Sequence, residues 1–303
     1  VSLLPRNPNA FTRSPLDRAG HRRRDGAWLA EALAAPSTLI LPYCEHRPFV
    51  IEVGERMAPG WLDPEAYNRV GPGDAPRLFL GVDAQDAAYF AVDVLDASAF
   101  NELGRFDDLR ALGARLSRDD LAMLGPAKSV FEWHAKNGYC ARCGTPSVIV
   151  EAGWKRECPA CDAEHFPRVD PVCIMLPVYE DKCLLARQAM WPRGMHSALA
   201  GFIEPGEAIE EAVARETMEE AGLEVLEVHV HSTQPWPFPH SLMIGVIARV
   251  AGDAETIDPH ELESGRWFSR EDAALLLAGR FTGAFCPPPF AIAHQLLKTW
   301  VGA

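Results

Sequence analysis

Seven glutamates stand between Gly201 and Leu223, in GFIEPGEAIEEAVARETMEEAGL, against a single arginine, Arg215. Pro205-Gly206 is a turn signal, Glu207 puts negative charge where a helix begins, and Gly222 is a helix stop. The residues between them predict a helix of about four turns. Ala208, Ile209, Ala212, Val213, Thr217 and Ala221 give it a small, apolar face. Glu216 and Glu220 are four apart and share one side, with Glu219 beside them. Like charges at that spacing repel. Such a helix is either a solvated acidic surface or a cradle for something positive.

The second constellation is made of thiols. Cys140/Cys143 and Cys158/Cys161 form two CxxC pairs with fourteen residues between them, and the intervening GTPSVIVEAGWKRE reads as a short hairpin. Two tight turns that each bring two sulfurs together suit a tetrahedral zinc site. Four protein ligands leave no position for water, so this Zn2+ is structural. A redox CxxC is the competing reading, and a second pair at this spacing weighs against it. His134 is a candidate fifth ligand, but a histidine packed on a helix face is the preferred reading. Cys173 and Cys183 lie in apolar runs and read as small core residues. Cys44 and Cys286 are scattered, and nothing predicts a disulfide framework.

The elements that must position these groups fall into four segments. Residues 1–116 hold short apolar runs at Thr38–Tyr43, Pro48–Val53, Arg77–Val82 and Ala88–Val94, bounded by Pro, Gly and Asp, and predict a small β-rich N-terminal domain. Its first 25 residues, rich in Arg, Pro and Asn, are expected to be loosely ordered. Residues 117–138 form a linker helix opened by a Ser117/Asp120 capping box and kinked at Gly125-Pro126. Residues 139–166 are the ribbon. Residues 167–303 alternate strands and helices: strands at Val172–Val178, Lys182–Arg187, Glu224–His231, Ser241–Val250 and Arg266–Phe268, then helices at Ala273–Ala278 and from Pro289 onward. Strands around a loop–helix–loop, with helices on both faces, make an α/β/α sandwich with a mixed sheet.

Composition narrows the class. A chain of 303 residues favours two domains, and 48% hydrophobic residues suffice for real cores. The net charge of −13 argues against coating nucleic acid. It leaves room for a polyanionic substrate whose charge metal ions would handle. No apolar run approaches a membrane span, and the first residues show no signal-type core, so a cytoplasmic protein is expected.

The spacing around the glutamates is more specific than the charge. Gly201, Glu207, Arg215-Glu216, Glu219-Glu220 and Gly222-Leu223 together resemble the complete signature of the Nudix hydrolases, with Thr217 where an aliphatic residue is usual. QPWPFPHS at 234–241 resembles the SQPWPFPxS motif of the NADH pyrophosphatase branch, with Thr233 for the usual serine. That branch also carries a four-cysteine ribbon before its catalytic domain. Phe166 stands where a tyrosine is common. The resemblance covers residues 117 to 300 in detail and the N-terminal domain by position.

The resemblance implies hydrolysis of the pyrophosphate of NADH or NAD to nicotinamide mononucleotide and AMP, with Mg2+ or Mn2+ between carboxylates and phosphates. Glu216, Glu220 and Glu219 would be metal ligands, joined by the backbone carbonyl of Ala200 and by Glu261, for which Glu263 is the alternative. Glu219 or Glu220 would also take the proton of the attacking water. Glu207 pairs with Arg215 in a structural role. Phe202 and Phe166 would clamp the nicotinamide or adenine, in a clamp shared across a homodimer. Gln234, Trp236 and Ser241 would shape the dinucleotide end, and Ala293 would offer backbone contacts. No GxGxxG follows a strand, so NAD is expected as substrate and not as a hydride carrier. Removal of an NAD cap from RNA breaks the same bond and is implied equally, with Arg22–Arg24 or Lys155-Arg156 as basic strips for the strand. A non-catalytic nucleotide sensor and a zinc-ribbon nucleic-acid module are the readings from other classes.

Overall fold

The computed structural model describes residues 7–70 and 75–302. They divide into two compact units. One holds residues 11–169 and 236–240, the other residues 7–10, 170–235 and 241–302.

The first unit begins with a 3-10 turn, Gly20–Arg24, and helix α1, Gly26–Ala34, whose first turn is capped by the Asp25 side chain accepting from Trp28 N–H. Strands β1 (Leu39–Cys44), β2 (Arg47–Val53) and β3 (Arg56–Pro59) precede helix α2 (Pro64–Val70). Strands β4 (Arg77–Val82), β5 (Ala88–Asp93) and β6 (Arg105–Phe106) complete a sheet of order β3-β2-β1-β5-β4, with β6 on β2. Helix α3 (Leu109–Leu112) leads to α4 (Arg118–Lys136), where Ser117 and Asp120 form the capping box. Helix α4 runs through Pro126 without ending, and Tyr43 donates its hydroxyl to the carbonyl of Leu124 at 2.8 Å. The ribbon follows as β7 (Val148–Val150), β8 (Lys155–Glu157) and β9 (Glu164–His165).

Of the first 25 residues, 1–6 lie outside the described set; the others correct the expectation of loose order. Asp17 and Val82 exchange backbone hydrogen bonds at 2.9 and 2.8 Å, and Arg22 pairs with Asp86 at 2.7 Å.

The second unit is built on β10 (Asp170–Tyr179), β11 (Lys182–Arg187) and β12 (Leu199–Phe202), then helix α5 (Ile209–Ala221), β13 (Val225–Trp236), β14 (Ser241–Val250), β15 (Ser264–Ser269), α6 (Arg270–Leu277) and α7 (Ile292–Val301). Its sheet runs β13-β14-β10-β11-β15, with β12 on β10. β10 is parallel to β14 and antiparallel to β11, so the sheet is mixed. Side chains alternate along β10. Cys173 and Met175 join Ala212 and Val213 of α5 in one core, while Ile174 and Leu176 join Leu296 and Leu297 of α7 in another. The result is the expected α/β/α sandwich. Cys173 and Cys183 are fully buried, as expected.

The two sheets share a topology. In each, the first strand of a hairpin runs parallel to a later strand, and the strand before that later one takes the sheet edge. Helix α2 holds the place in chain order that α5 holds in the second unit. Its sequence, PEAYNRV, contributes one glutamate.

Among the boundaries that differ from the sequence reading are the end of β13 and the start of α7. β13 runs on through Gln234 and Trp236, so the proline-aromatic segment is half strand and half turn. Helix α7 starts at Ile292, after Pro287, Pro288 and Pro289 have ended as irregular chain.

Candidate active site and zinc centre

The ends of helix α5 are fixed by chemistry. At its start, Ala208 N–H donates to the Glu211 carboxylate at 2.7 Å. At its end, Gly222 takes a left-handed conformation, φ 65°, and returns its N–H to the Met218 carbonyl at 2.9 Å. Two further carbonyls of the last turn are satisfied from outside the helix: Thr256 N–H donates to Ala221 at 2.8 Å and Asp258 N–H to Glu220 at 3.0 Å. The strap 256–263 is thereby tied to the helix, and it carries Glu261.

Glu216, Glu220 and Glu261 converge, each offering a carboxylate oxygen within 4.8 Å of the others. Glu220 is 3% exposed, and its Oε2 is buried without a hydrogen-bond partner. Burial, then the charges of Glu216 and Glu261, pushes the Glu220 carboxyl up to about 8, against the pull of the Ala200 backbone N–H. Burial also raises Glu216, offset in part by Arg215. An orphaned buried oxygen among three carboxylates fits a divalent cation, and an all-oxygen donor set fits a hard one. Ala200 lies in β12 opposite Ile174, which brings its backbone to Glu220.

Arg215 holds the other side of the site. Its Nε and Nη2 donate to the two oxygens of Glu207 at 2.6 and 2.8 Å, Nη1 to Glu216 at 2.8 Å and to Glu219 at 3.0 Å, and Nη2 to the Phe202 carbonyl at 3.0 Å. Arg215, and then the Glu204 N–H, holds Glu207 down at about 2. The bidentate pair pins the loop 202–207 onto the helix.

Several sequence-predicted residues are placed differently. Glu219 is outside the three-carboxylate cluster: its side chain is 58% exposed and turned to Arg215. Glu263 is also outside it and pairs with Arg187. Gln234, expected to shape the dinucleotide end, is a clasp inside its unit. It is fully buried, donates to the carbonyls of Ala10 and Phe290 at 3.2 and 2.8 Å, and accepts from Ile292 N–H at 2.9 Å, which uses its amide within the unit. Ala293 is buried in the first turn of α7, and Ser241 is half-buried at the start of β14. Phe202 is 59% exposed beside the site. In the other unit, Phe166 is 61% exposed, and Trp236 packs edge-on against Phe11 and Phe238.

The basic strips offered for an RNA strand are spent inside the first unit. Arg22 pairs with Asp86, Arg24 with Glu151, and Arg23 lies over the Trp154 ring at 4.1 Å. Lys155 is surrounded by Glu151, Glu157 and Glu164, and Arg156 donates to Ser147 at 2.8 Å and to His134 Nδ1 at 3.2 Å. His134 Nε2 donates to the Gly153 carbonyl at 2.8 Å, so this histidine is a packed helix residue and no zinc ligand.

Cys140, Cys143, Cys158 and Cys161 cluster, with sulfur separations of 3.7 Å between Cys140 and Cys161 and 3.5 Å between Cys143 and Cys158. Zn–S bonds of about 2.3 Å in a tetrahedron require edges of about 3.8 Å. The thiols are free and fit zinc.

Residues 169–284 match the NUDIX domain model, 135–166 the NADH pyrophosphatase zinc ribbon domain, and 37–133 the NADH pyrophosphatase-like rudimentary NUDIX domain. The chain is 34% identical over 342 residues to the NAD-capped RNA hydrolase NUDT12 of Homo sapiens, covering 97% of this chain and 73% of that one. The chain is a Nudix hydrolase of the NADH pyrophosphatase branch. This Nudix hydrolase is also 39% identical over 257 residues to the mitochondrial NAD(P)H pyrophosphatase NUDT13 of Homo sapiens, covering 75% and 73% of the two chains. It is 39% identical over 202 residues to the NAD-capped RNA hydrolase NudC of Mycobacterium bovis, covering 64% of each. The rudimentary match agrees with the repeated sheet topology of the first unit, where α2 lacks the glutamates of α5. Nudix hydrolases depend on a divalent metal, and the ribbon match agrees with zinc at the four cysteines. Among the described residues, no helix is long and apolar enough to cross a membrane.

Glu261 was expected at the site, but the tie of its strap, 256–263, to α5 was not legible in the sequence. Its link to α5 is made by backbone N–H groups, and no side-chain type signals them.

Proposed function

We propose that this Nudix hydrolase cleaves the pyrophosphate bond of NADH and NAD, giving nicotinamide mononucleotide and AMP, and removes NAD caps from RNA 5′ ends. The observation that carries the reading is the convergence of Glu216, Glu220 and Glu261 around an unpartnered Glu220 oxygen. The names of NUDT12, NUDT13 and NudC support the dinucleotide as the substrate class.

Glu216, Glu220 and Glu261 would hold the cation, with the Ala200 carbonyl as an added donor. Bound Mg2+ or Mn2+ neutralises the phosphates and lowers the cost of charge on the transferring group. Arg215 restrains Glu216 and keeps loop 202–207 in place. Glu219 is the exposed carboxylate nearest the cluster in sequence, and it accepts the proton of the attacking water once it leaves Arg215. Water adds to one phosphorus and the bridging P–O bond breaks, which leaves two monophosphates. Phe202 offers an open aromatic face to a base ring. Phe166, exposed on its own unit, belongs to the proposed homodimeric clamp. The eight free cysteines fit a reducing compartment, and the cytoplasm is the one proposed.

The test is product analysis on NADH and on NAD-capped RNA across salt. AMP and reduced nicotinamide mononucleotide from NADH support the first activity. Release of nicotinamide mononucleotide from capped RNA supports the second.

A further inference from the structure

Arg187 closes strand β11 with a side chain only 11% exposed. Its Nε donates to Glu263. Its Nη1 donates to the Pro192 carbonyl at 2.9 Å, with the Trp191 carbonyl at 3.4 Å. The main chain adds a tie, because Glu263 N–H donates to the Arg187 carbonyl at 2.8 Å. Glu263 is two residues beyond Glu261. Pro192 lies in the loop before β12, where Met190 is 85% exposed.

The strap 256–263 is thus held at both ends. One end rests on the last carbonyls of α5, the other on Arg187. Glu261 itself is exposed, so side-chain packing does not fix where its carboxylate points. The strap's backbone does: buried Leu262 and the turn onto the Asp258 carbonyl anchor its middle, and the ties at its two ends set its path. A guanidinium is planar and presents its donors at set angles, which lets one side chain fix two segments at once.

We propose that Arg187 is a positioning residue for the reaction. Through Glu263 it sets the reach of Glu261 toward Glu216 and Glu220, and through Pro192 it holds the loop 188–194 in register with that strap. The inference rests on the reading of the three carboxylates as a divalent-cation site.

The experiment is Mn2+ titration of the full chain, followed by electron paramagnetic resonance, for wild type, Arg187→Met and Glu263→Ala. Zinc content and thermal unfolding are measured on the same samples. Both variants are expected to bind Mn2+ about tenfold more weakly, the usual effect of losing a partner behind a ligand. Zinc content should stay unchanged. In NADH hydrolysis, both variants lower kcat, and raised Mn2+ restores part of the loss. If Arg187→Met does not fold, Glu263→Ala carries the test alone, since its side chain is at the surface. Mn2+ affinity within twofold of wild type in the folded variants overturns the proposal. Wild type that binds no Mn2+ overturns the cation-site reading, and the proposal with it.

Discussion

A Cβ added to Gly201 would lie 1.8 Å from the Cδ of Glu216 and 2.2 Å from both of its carboxylate oxygens. The hydrogen of this glycine marks the space that the carboxylate fills. Any side chain there must displace Glu216 or part β12 from α5. Gly201→Ala should therefore lower kcat by about 100-fold, the scale of a misplacement of about 1 Å. Zinc content should be unchanged, because the ribbon belongs to the other unit. Steady-state kinetics with metal analysis would check this, and full activity in Gly201→Ala would contradict the packing argument.

A cation that binds only the folded chain stabilises it by mass action, by about 2.7 kcal/mol at a hundredfold excess over Kd. Wild type should thus melt at a higher temperature with added Mg2+ or Mn2+ than without either. Glu220→Gln and Glu216→Gln should show little of this shift, whereas Glu219→Gln should keep it. Glu219→Gln should still lose about 10²- to 10⁴-fold in kcat if it is the proton acceptor. Thermal shift and kinetics on the three variants separate ligand from base.

The four cysteines should hold one zinc per chain. Cys158→Ser should lose it and expose residues 140–165 to hydrogen exchange, because a closed four-thiolate site supplies folding free energy. Elemental analysis beside exchange mass spectrometry reads both. Zinc retained at full occupancy in Cys158→Ser would contradict the assignment.

His134 gives the first unit an acid-sensitive contact. Burial pushes it down to about 4, against the Gly153 carbonyl, with Arg156 adding to the fall. The unfolded chain then takes up the proton first as pH drops. This contribution is fully present above about pH 6.5 and is lost as pH falls through about 4. His134→Gln keeps a donor for Gly153 and an acceptor for Arg156 without titrating. Its denaturation midpoint should fall less than that of wild type between pH 7 and pH 4.5. Parallel midpoints across that range would sink this account.

What the sequence disclosed follows from how each contact is made. The glutamate spacing was readable because metal ligands on a helix must recur at its period. The four cysteines were readable because a closed zinc site needs two tight turns. Helical spacing places Glu219 near Glu216 and Glu220, and only the fold shows that Arg215 engages its side chain. A motif position does not reveal burial, and only the fold shows the Gln234 amide bonded to Ala10, Phe290 and Ile292. Arg22–Arg24 and Lys155-Arg156 look like basic strips in one dimension, yet in the fold each has partners within the first unit. The repeated topology of the first unit was hidden because strand pairing, unlike catalysis, leaves no required side chains.

Product analysis after incubation with NADH and Mg2+ or Mn2+ tests the central claim most directly. The account predicts AMP and reduced nicotinamide mononucleotide in equal amounts from wild type, and neither from Glu220→Gln. NADH recovered intact with both metals, or the same products at the same rate from Glu220→Gln, would contradict it.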